Sequence, residues 1–212
     1  MSPTYVLGVD PGKTGAIVLL DDDERVHYRA PMPLLEASRE YDAAALAVEL
    51  RGLQRYRPTL YLERPGLVRL AGGNYSAEAQ DSLAECVGLV RGLAAALALT
   101  VALVAPTTWQ AAMGIVSVRA SGGRSTTTQA AQRSAAIWPT STVWLEGERD
   151  AALIALYGLG ESRIRAASAS QRHDRHVCHE VCHEAKDSES QVNTVSLDTS
   201  DTCSRGGGCA HA

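Results

Sequence analysis

Two apolar runs near the N-terminus flank a short turn, and one carboxylate stands at the junction. The first run covers residues 5–9 and ends at Asp10, the turn Pro-Gly-Lys-Thr-Gly covers residues 11–15, and the second run covers residues 16–20. β-branched residues in the runs, with Pro-Gly and Thr-Gly between them, are typical of a strand, a tight turn and a second strand. The pattern predicts that Asp10 ends a strand, on the rigid backbone of a β-hairpin.

Two further acids also stand at the ends of apolar runs. Glu63 ends the run at residues 59–62, which predicts another strand. Asp150 opens the run at residues 151–157, which is followed by Gly158, a pattern that predicts a buried helix with a glycine cap. Acids placed on regular elements in this way can converge on one site.

A fourth acid precedes Asp150. Glu146 lies four residues earlier, so a helix beginning near Glu146 would put both side chains on one face, about 6 Å apart. A single loop could bring them together equally well. Glu148 is a competing candidate for the same place.

Four carboxylates in one place repel each other unless a cation neutralises them. Oxygen ligands of this kind select magnesium or manganese over zinc or copper. A pair of such ions can activate water and stabilise the leaving oxygen of a phosphodiester. The acids therefore predict metal-dependent phosphoryl transfer.

Four short segments follow one another in a characteristic order: Gly8–Gly12, Tyr61–Glu63, Pro106–Trp109 and Glu146–Ala155. Over residues 4–160 this order resembles the RuvC-type Holliday junction resolvases, above all the variants found in phages and prophages. It implies an α/β chain with a ribonuclease H-like fold, in which a mixed five-stranded sheet is flanked by helices. It also implies a homodimer that cuts four-way DNA junctions with Mg²⁺, or with Mn²⁺ in its place.

The resemblance assigns roles to the acids. Asp10, Glu63 and Asp150 match the family's catalytic, metal-binding residues, and Glu146 matches the fourth. In the cellular bacterial enzymes the fourth acid stands three residues before the last one, where this chain has Gly147. The phage-like variants carry an acid followed by glycine, which favours Glu146, while Glu148 stays open as the alternative.

Basic residues around these motifs are candidates for DNA binding. They are Lys13, Arg64, Arg69, Arg119 and Arg124. The chain has only two lysines against 18 arginines, and arginine can bind phosphate through two parallel hydrogen bonds. The net charge of −4 opposes DNA binding, although a local cluster of arginine can still form a positive surface.

The remaining elements follow from periodicity and turn signals. The sequence predicts a strand at 26–31, helices at 41–56, 76–99 and 126–137, and a strand at 100–104.

Composition divides the chain into a nuclease domain at residues 1–165 and a tail at residues 166–212. The tail contains cysteine and histidine and is rich in Ser, Thr and Asp towards its end, which predicts disorder. A zinc site is not expected there because the Cys and His spacing fits no zinc-finger pattern. No membrane span or signal peptide is evident, so we expect a cytoplasmic protein. The resemblance implies that it is prokaryotic or phage-encoded.

The function predicted from the sequence is an endonuclease that cleaves branched DNA. A rival is an actin-like or sugar-kinase-like phosphotransferase, because residues 10–15 also resemble the first phosphate loop of those proteins; they need two such lobes, however. A relative that binds DNA junctions without cutting them is a third possibility. The sequence leaves open which branched DNA is the substrate.

Overall fold

The computed structural model describes residues 3–64, 77–139 and 144–190, with side chains described up to residue 169. The chain divides into two units, residues 1–165 and 166–212. In the described ranges, no helix is long and apolar enough to cross a bilayer.

A mixed five-stranded sheet lies at the centre of the first unit. Its strands are β1 (Tyr5–Asp10), β2 (Ala16–Asp21), β3 (Val26–Pro31), β4 (Thr59–Glu63) and β5 (Thr100–Val104). The order across the sheet is β3-β2-β1-β4-β5. The first three strands pair antiparallel, whereas β4 is parallel to both β1 and β5. Each of these strands was predicted from the sequence.

Five helices accompany the sheet in the part of the chain that the structure describes. They are α1 (Ala43–Leu53), continued by a 3₁₀ turn at Gln54–Tyr56, then α2 (Ala77–Ala96), α3 (Pro106–Ala112), α4 (Thr126–Ile137) and α5 (Glu146–Ser190). The predicted helix at 41–56 begins later because Asp42 is its N-cap, with the side chain accepting a hydrogen bond from the Ala45 N–H. The α/β fold class with a mixed, helix-flanked sheet is confirmed.

The two faces of the sheet pack against different helices. Successive side chains of a strand point to opposite faces. Leu7 and Val9 of β1 therefore pack in one core cluster with residues of α1 and α2. Val6 lies in the other cluster, with residues of α3, α4 and α5. Gly8 and Asp10 share the face of Val6, so Asp10 faces the side covered by α5.

Helix α5 is described as far as Ser190, and the disorder predicted for the tail from residue 166 stays a prediction. Between Glu161 and Ser190 the sequence contains neither glycine nor proline, so no residue interrupts a helix there. Residues 191–212 and the side chains of the Cys and His segment lie outside the described residues.

Candidate active site

The parallel pairing of β1 and β4 brings two of the acids together. Val9 pairs with Leu62 in this register, so Asp10 and Glu63 each follow by one residue. Both therefore lie at the same edge of the sheet and on the same face. Neighbouring strands are about 4.8 Å apart, which makes the two carboxylates immediate neighbours.

Two glycines let α5 approach this edge closely. A Cβ on Gly8 would lie 2.0 Å from the Ala151 carbonyl oxygen and 2.6 Å from the Ala155 nitrogen. A Cβ on Gly147 would lie 2.2 Å from the Thr14 carbonyl oxygen, in the turn between β1 and β2. Helix backbone therefore packs directly on strand and turn backbone, and this contact carries the first turn of α5 to the end of β1.

The first turn of α5 brings Glu146 and Asp150 to the two strand acids. Helix α5 begins at Glu146, so the spacing of four residues puts these side chains on one face. The pKa of Asp10 is raised from 3.8 to about 8, mainly by burial and then by the nearby charges of Glu63, Asp150 and Glu146, in that order. All four acids are thus electrostatic neighbours.

The other two buried carboxyls show the same crowding. The pKa of Glu63 is raised to about 7, mainly by burial; a hydrogen bond from Trp109 limits the rise, and the charge of Asp150 contributes to it. Burial and then the charge of Glu146 raise the pKa of Asp150 to about 6, against the lowering effect of Arg149. Three carboxyl groups that lie close together in space and resist ionisation form a site that would strongly favour a bound cation.

Glu148 lies in different surroundings. It is only 7% exposed, and its Oε2 accepts a hydrogen bond from the Leu145 N–H at 3.1 Å. The same oxygen lies 3.5 Å from Arg29 Nη1. Glu146 instead accepts a hydrogen bond from the Thr127 hydroxyl at 3.1 Å. Of the two candidates for the fourth acid, Glu146 is the one beside Asp10 and Asp150.

The donor set fits a hard divalent cation, since all four groups offer carboxylate oxygen. Within the described residues, no three or more Asp, Glu, His or Cys side chains stand close enough to enclose one ion as they are placed. Side-chain rotation would be needed to bring three carboxylates onto one ion.

Comparisons with known proteins agree with this architecture. The structure is similar to that of Thermus thermophilus RuvC, with a TM-score of 0.54 and 18% sequence identity over 76% of this chain and 96% of that chain. It is also similar to T. thermophilus RuvC in complex with a Holliday junction substrate, with a TM-score of 0.52 and 16% identity over 72% of this chain and 91% of that chain. No protein-family model matches the sequence, and neither does any curated protein.

The chain has a RuvC-type fold. The resemblance stated from the motifs is therefore confirmed for the ribonuclease H-like architecture.

The basic residues predicted to bind DNA are dispersed on this RuvC-type fold. Arg64 is exposed directly after Glu63, at the acid-bearing edge. Arg119 is exposed in the loop before α4. The side chain of Arg124, in the same loop, is held within the protein, because its guanidinium donates hydrogen bonds to the Ser121 carbonyl and to the Gln132 side chain.

The remaining two candidates differ from these. Lys13 lies in a groove with acidic neighbours, among them Glu40, Glu78 and Glu85, which makes its surroundings negative rather than basic. Arg69 lies outside the described residues. A DNA-binding role for all five residues stays a prediction.

The sequence assigned no role to three side chains that the RuvC-type fold brings to the acids. Trp109 Nε1 donates to Glu63 Oε2 at 2.5 Å, and Thr127 holds Glu146 as described above. Arg149 Nε is buried and has no hydrogen-bond partner among the described residues. The sequence does mark Trp109 as the last residue of one of the four motifs. No local pattern, however, connects it to a carboxylate 46 positions earlier.

Proposed function

We propose that this protein is a divalent-metal-dependent endonuclease that hydrolyses phosphodiester bonds in branched DNA, with the four-way junction as its preferred substrate. The observation that carries the proposal is the convergence of Asp10, Glu63 and Asp150 with raised pKa values at one sheet edge, with Glu146 alongside. Groups with strongly perturbed pKa values cluster at functional sites, because function requires charges that stability alone would avoid.

Mg²⁺ or Mn²⁺ is the cation that such a site favours. Asp10, Glu63, Glu146 and Asp150 would hold it, and their mutual repulsion is the driving force for binding. When bound, the metal supplies Lewis-acid stabilisation of a phosphoryl group and an activated water. Exposed arginines such as Arg64 would neutralise the DNA phosphates next to the scissile one.

Branched DNA is favoured by the likeness to a RuvC captured with a Holliday junction substrate. A junction presents two strands for cutting in symmetric positions, which a homodimer would match with two copies of the site. On this ground we extend the proposal to a homodimer. We further propose that it acts in the cytoplasm of a prokaryotic host.

The rival phosphotransferase is less well supported. Proteins with the actin-like arrangement need two lobes that close around a nucleotide, and the described residues contain a single five-stranded sheet. A relative that binds junctions without cutting them is also disfavoured, since such a protein would not need to bury several repelling carboxyls at one edge.

The test is cleavage of a labelled synthetic four-way junction by the purified protein with Mg²⁺, next to a linear duplex of the same sequence. Asp10→Asn and Asp150→Asn should each lower the rate of junction cleavage by at least about 100-fold, because each removes a ligand charge. Asp42→Asn is the matched control, since asparagine caps helix α1 as well as aspartate does.

Cleavage of the linear duplex as fast as the junction would overturn the substrate assignment. Full activity of Asp10→Asn and Asp150→Asn would overturn the assignment of the site.

A further inference from the structure

One carboxylate of the site has a tryptophan as its hydrogen-bond donor. Trp109 Nε1 donates to Glu63 Oε2 at 2.5 Å. Hydrogen bonds to a charged acceptor are shorter and stronger than those between neutral groups. The indole N–H is a donor only, so this bond favours the carboxylate over the protonated acid.

The core fixes the direction of this donor. Trp109 is 1% exposed and lies in the core cluster that contains Tyr61, Ile115 and Leu153. Helix α3 starts at Pro106, directly after β5, and β5 pairs with β4 so that Val104 lies beside Glu63. Strand pairing and core packing therefore aim the indole N–H at the Glu63 carboxylate without help from solvent.

We propose that Trp109 is a positioning residue for Glu63. It engages Oε2 and fixes the rotation of the carboxylate, so that Oε1 is the oxygen left for a divalent cation. This inference rests on the proposed function and adds a determinant of metal affinity that does not itself contact the metal. Groups that orient a metal ligand in this way commonly change metal affinity by about 10- to 100-fold.

Trp109→Phe tests the bond, because phenylalanine keeps an aromatic ring and removes the N–H. Trp138→Phe is the matched control. Trp138 Nε1 also donates to a protein oxygen, the Glu24 carbonyl at 2.9 Å, but Glu24 lies in the β2–β3 hairpin at the opposite end of the sheet from Asp10.

The measurement is Mn²⁺ binding by titration calorimetry, with the melting temperature of each variant recorded alongside. Trp109→Phe should weaken Mn²⁺ binding about 10-fold or more, and Trp138→Phe should leave the affinity within about twofold of the parent. Both variants lose one hydrogen bond, so both should lose some thermal stability. Equal Mn²⁺ affinity in Trp109→Phe and Trp138→Phe would overturn the inference.

A second measurement uses the unaltered protein, in case Trp109→Phe does not fold. The indole N–H signals of the three tryptophans can be followed by ¹H–¹⁵N NMR during titration with Mg²⁺, with Trp138 and Trp144 assigned from their phenylalanine variants. The Trp109 signal should move with the binding curve, while the Trp138 signal stays in place. A stationary Trp109 signal during Mg²⁺ binding would overturn the inference.

The two proposals fail in distinguishable ways. If the parent binds neither Mn²⁺ nor Mg²⁺, or if Asp150→Asn binds Mn²⁺ as tightly as the parent, the proposed metal site is wrong and the role of Trp109 falls with it. If the parent binds metal through these acids and Trp109→Phe binds equally well, only the role of Trp109 is wrong.

Discussion

Glu146 and Glu148 stand two positions apart on the first turn of α5, and their side chains have different partners. Glu146 is exposed and adds its charge to the acids of the site. Glu148 is buried, accepts a backbone hydrogen bond and lies beside Arg29. A helix turns by about 100° per residue, so a step of two residues carries a side chain to the far side.

Isosteric variants should separate these two roles. Glu146→Gln should slow junction cleavage at least about 10-fold with little change in melting temperature, because Glu146 is exposed and its charge serves the site. Glu148→Gln should lower the melting temperature by about 2 to 8 °C, since it removes a buried carboxylate charge that lies 3.5 Å from Arg29 Nη1. Cleavage rates and thermal melts of both variants check this, and the reverse outcome would identify Glu148 as the fourth acid.

The raised pKa of Asp10 makes a prediction about pH. In the folded, metal-free protein this pKa is about 8 instead of 3.8, so the folded state holds a proton that the unfolded state releases. The stability associated with this proton is complete below about pH 4 and is lost as the pH rises towards 8. Thermal melts in chelator should therefore show a falling melting temperature from pH 5 to pH 8.

Asp10→Asn should reduce this slope. At pH 8 it should exceed the metal-free parent by about 1 kcal/mol or more, which is about 2 to 4 °C for a domain of this size. Asp42→Asn should keep the slope of the parent. Added Mg²⁺ should stabilise the parent more at pH 8 than at pH 5, because ligand carboxyls must lose their protons to bind. A parent whose metal-free stability rises from pH 5 to pH 8 would contradict the account.

At the scale of elements, the decisive contact is between α5 and the β1–β2 hairpin. Gly147 lies against the backbone of Thr14 and Gly15, where no flexible side chain can yield. Gly160, in the same helix, has no heavy atom within 4 Å of the position that a Cβ would take. A side chain at position 147 would therefore clash with backbone atoms, whereas one at position 160 would have room.

Alanine at the two positions should have opposite effects. Gly147→Ala should destabilise the protein by about 1 to 3 kcal/mol and slow cleavage, because α5 must move away from β1 and carries Asp150 with it. Gly160→Ala should stabilise it by up to about 1 kcal/mol, because alanine favours a helix over glycine. Chemical denaturation and junction cleavage measure both effects. Equal stability of the two variants would show that the close packing of α5 is not required.

For the whole molecule, the two core clusters are built from residues between Val6 and Leu159. The sequence division at residue 165 therefore leaves every member of these clusters in the first unit. A domain that contains its own core can fold by itself.

A chain ending at Arg165 should thus unfold cooperatively, with a stability within about 1 kcal/mol of the full chain. A chain ending at residue 145 should not fold, because it lacks the five buried residues Ala151–Ala155. Thermal unfolding followed by circular dichroism distinguishes these outcomes. If the chain ending at Arg165 did not unfold cooperatively, residues beyond 165 would be required for folding.

Much of the fold could be predicted because its signals are local. Short apolar runs and turn residues located all five strands, and helical periodicity located α1, α2 and α4 to within a few residues. Three acids at element ends also followed from these patterns. The disorder expected for the tail stays a prediction, because low apolar content excludes a packed core but does not by itself exclude a helix.

The sequence by itself determined which acids could meet, since the end of a strand or the start of a helix is set by neighbouring residues. Only the tertiary structure decided which acids do meet and what surrounds them. The packing of α5 places Glu146 at the site and turns Glu148 away from it. Trp109 reaches Glu63 across two paired strands, and Lys13 lies among acidic groups of distant segments. These relations depend on contacts between residues far apart in the chain, which no local pattern encodes.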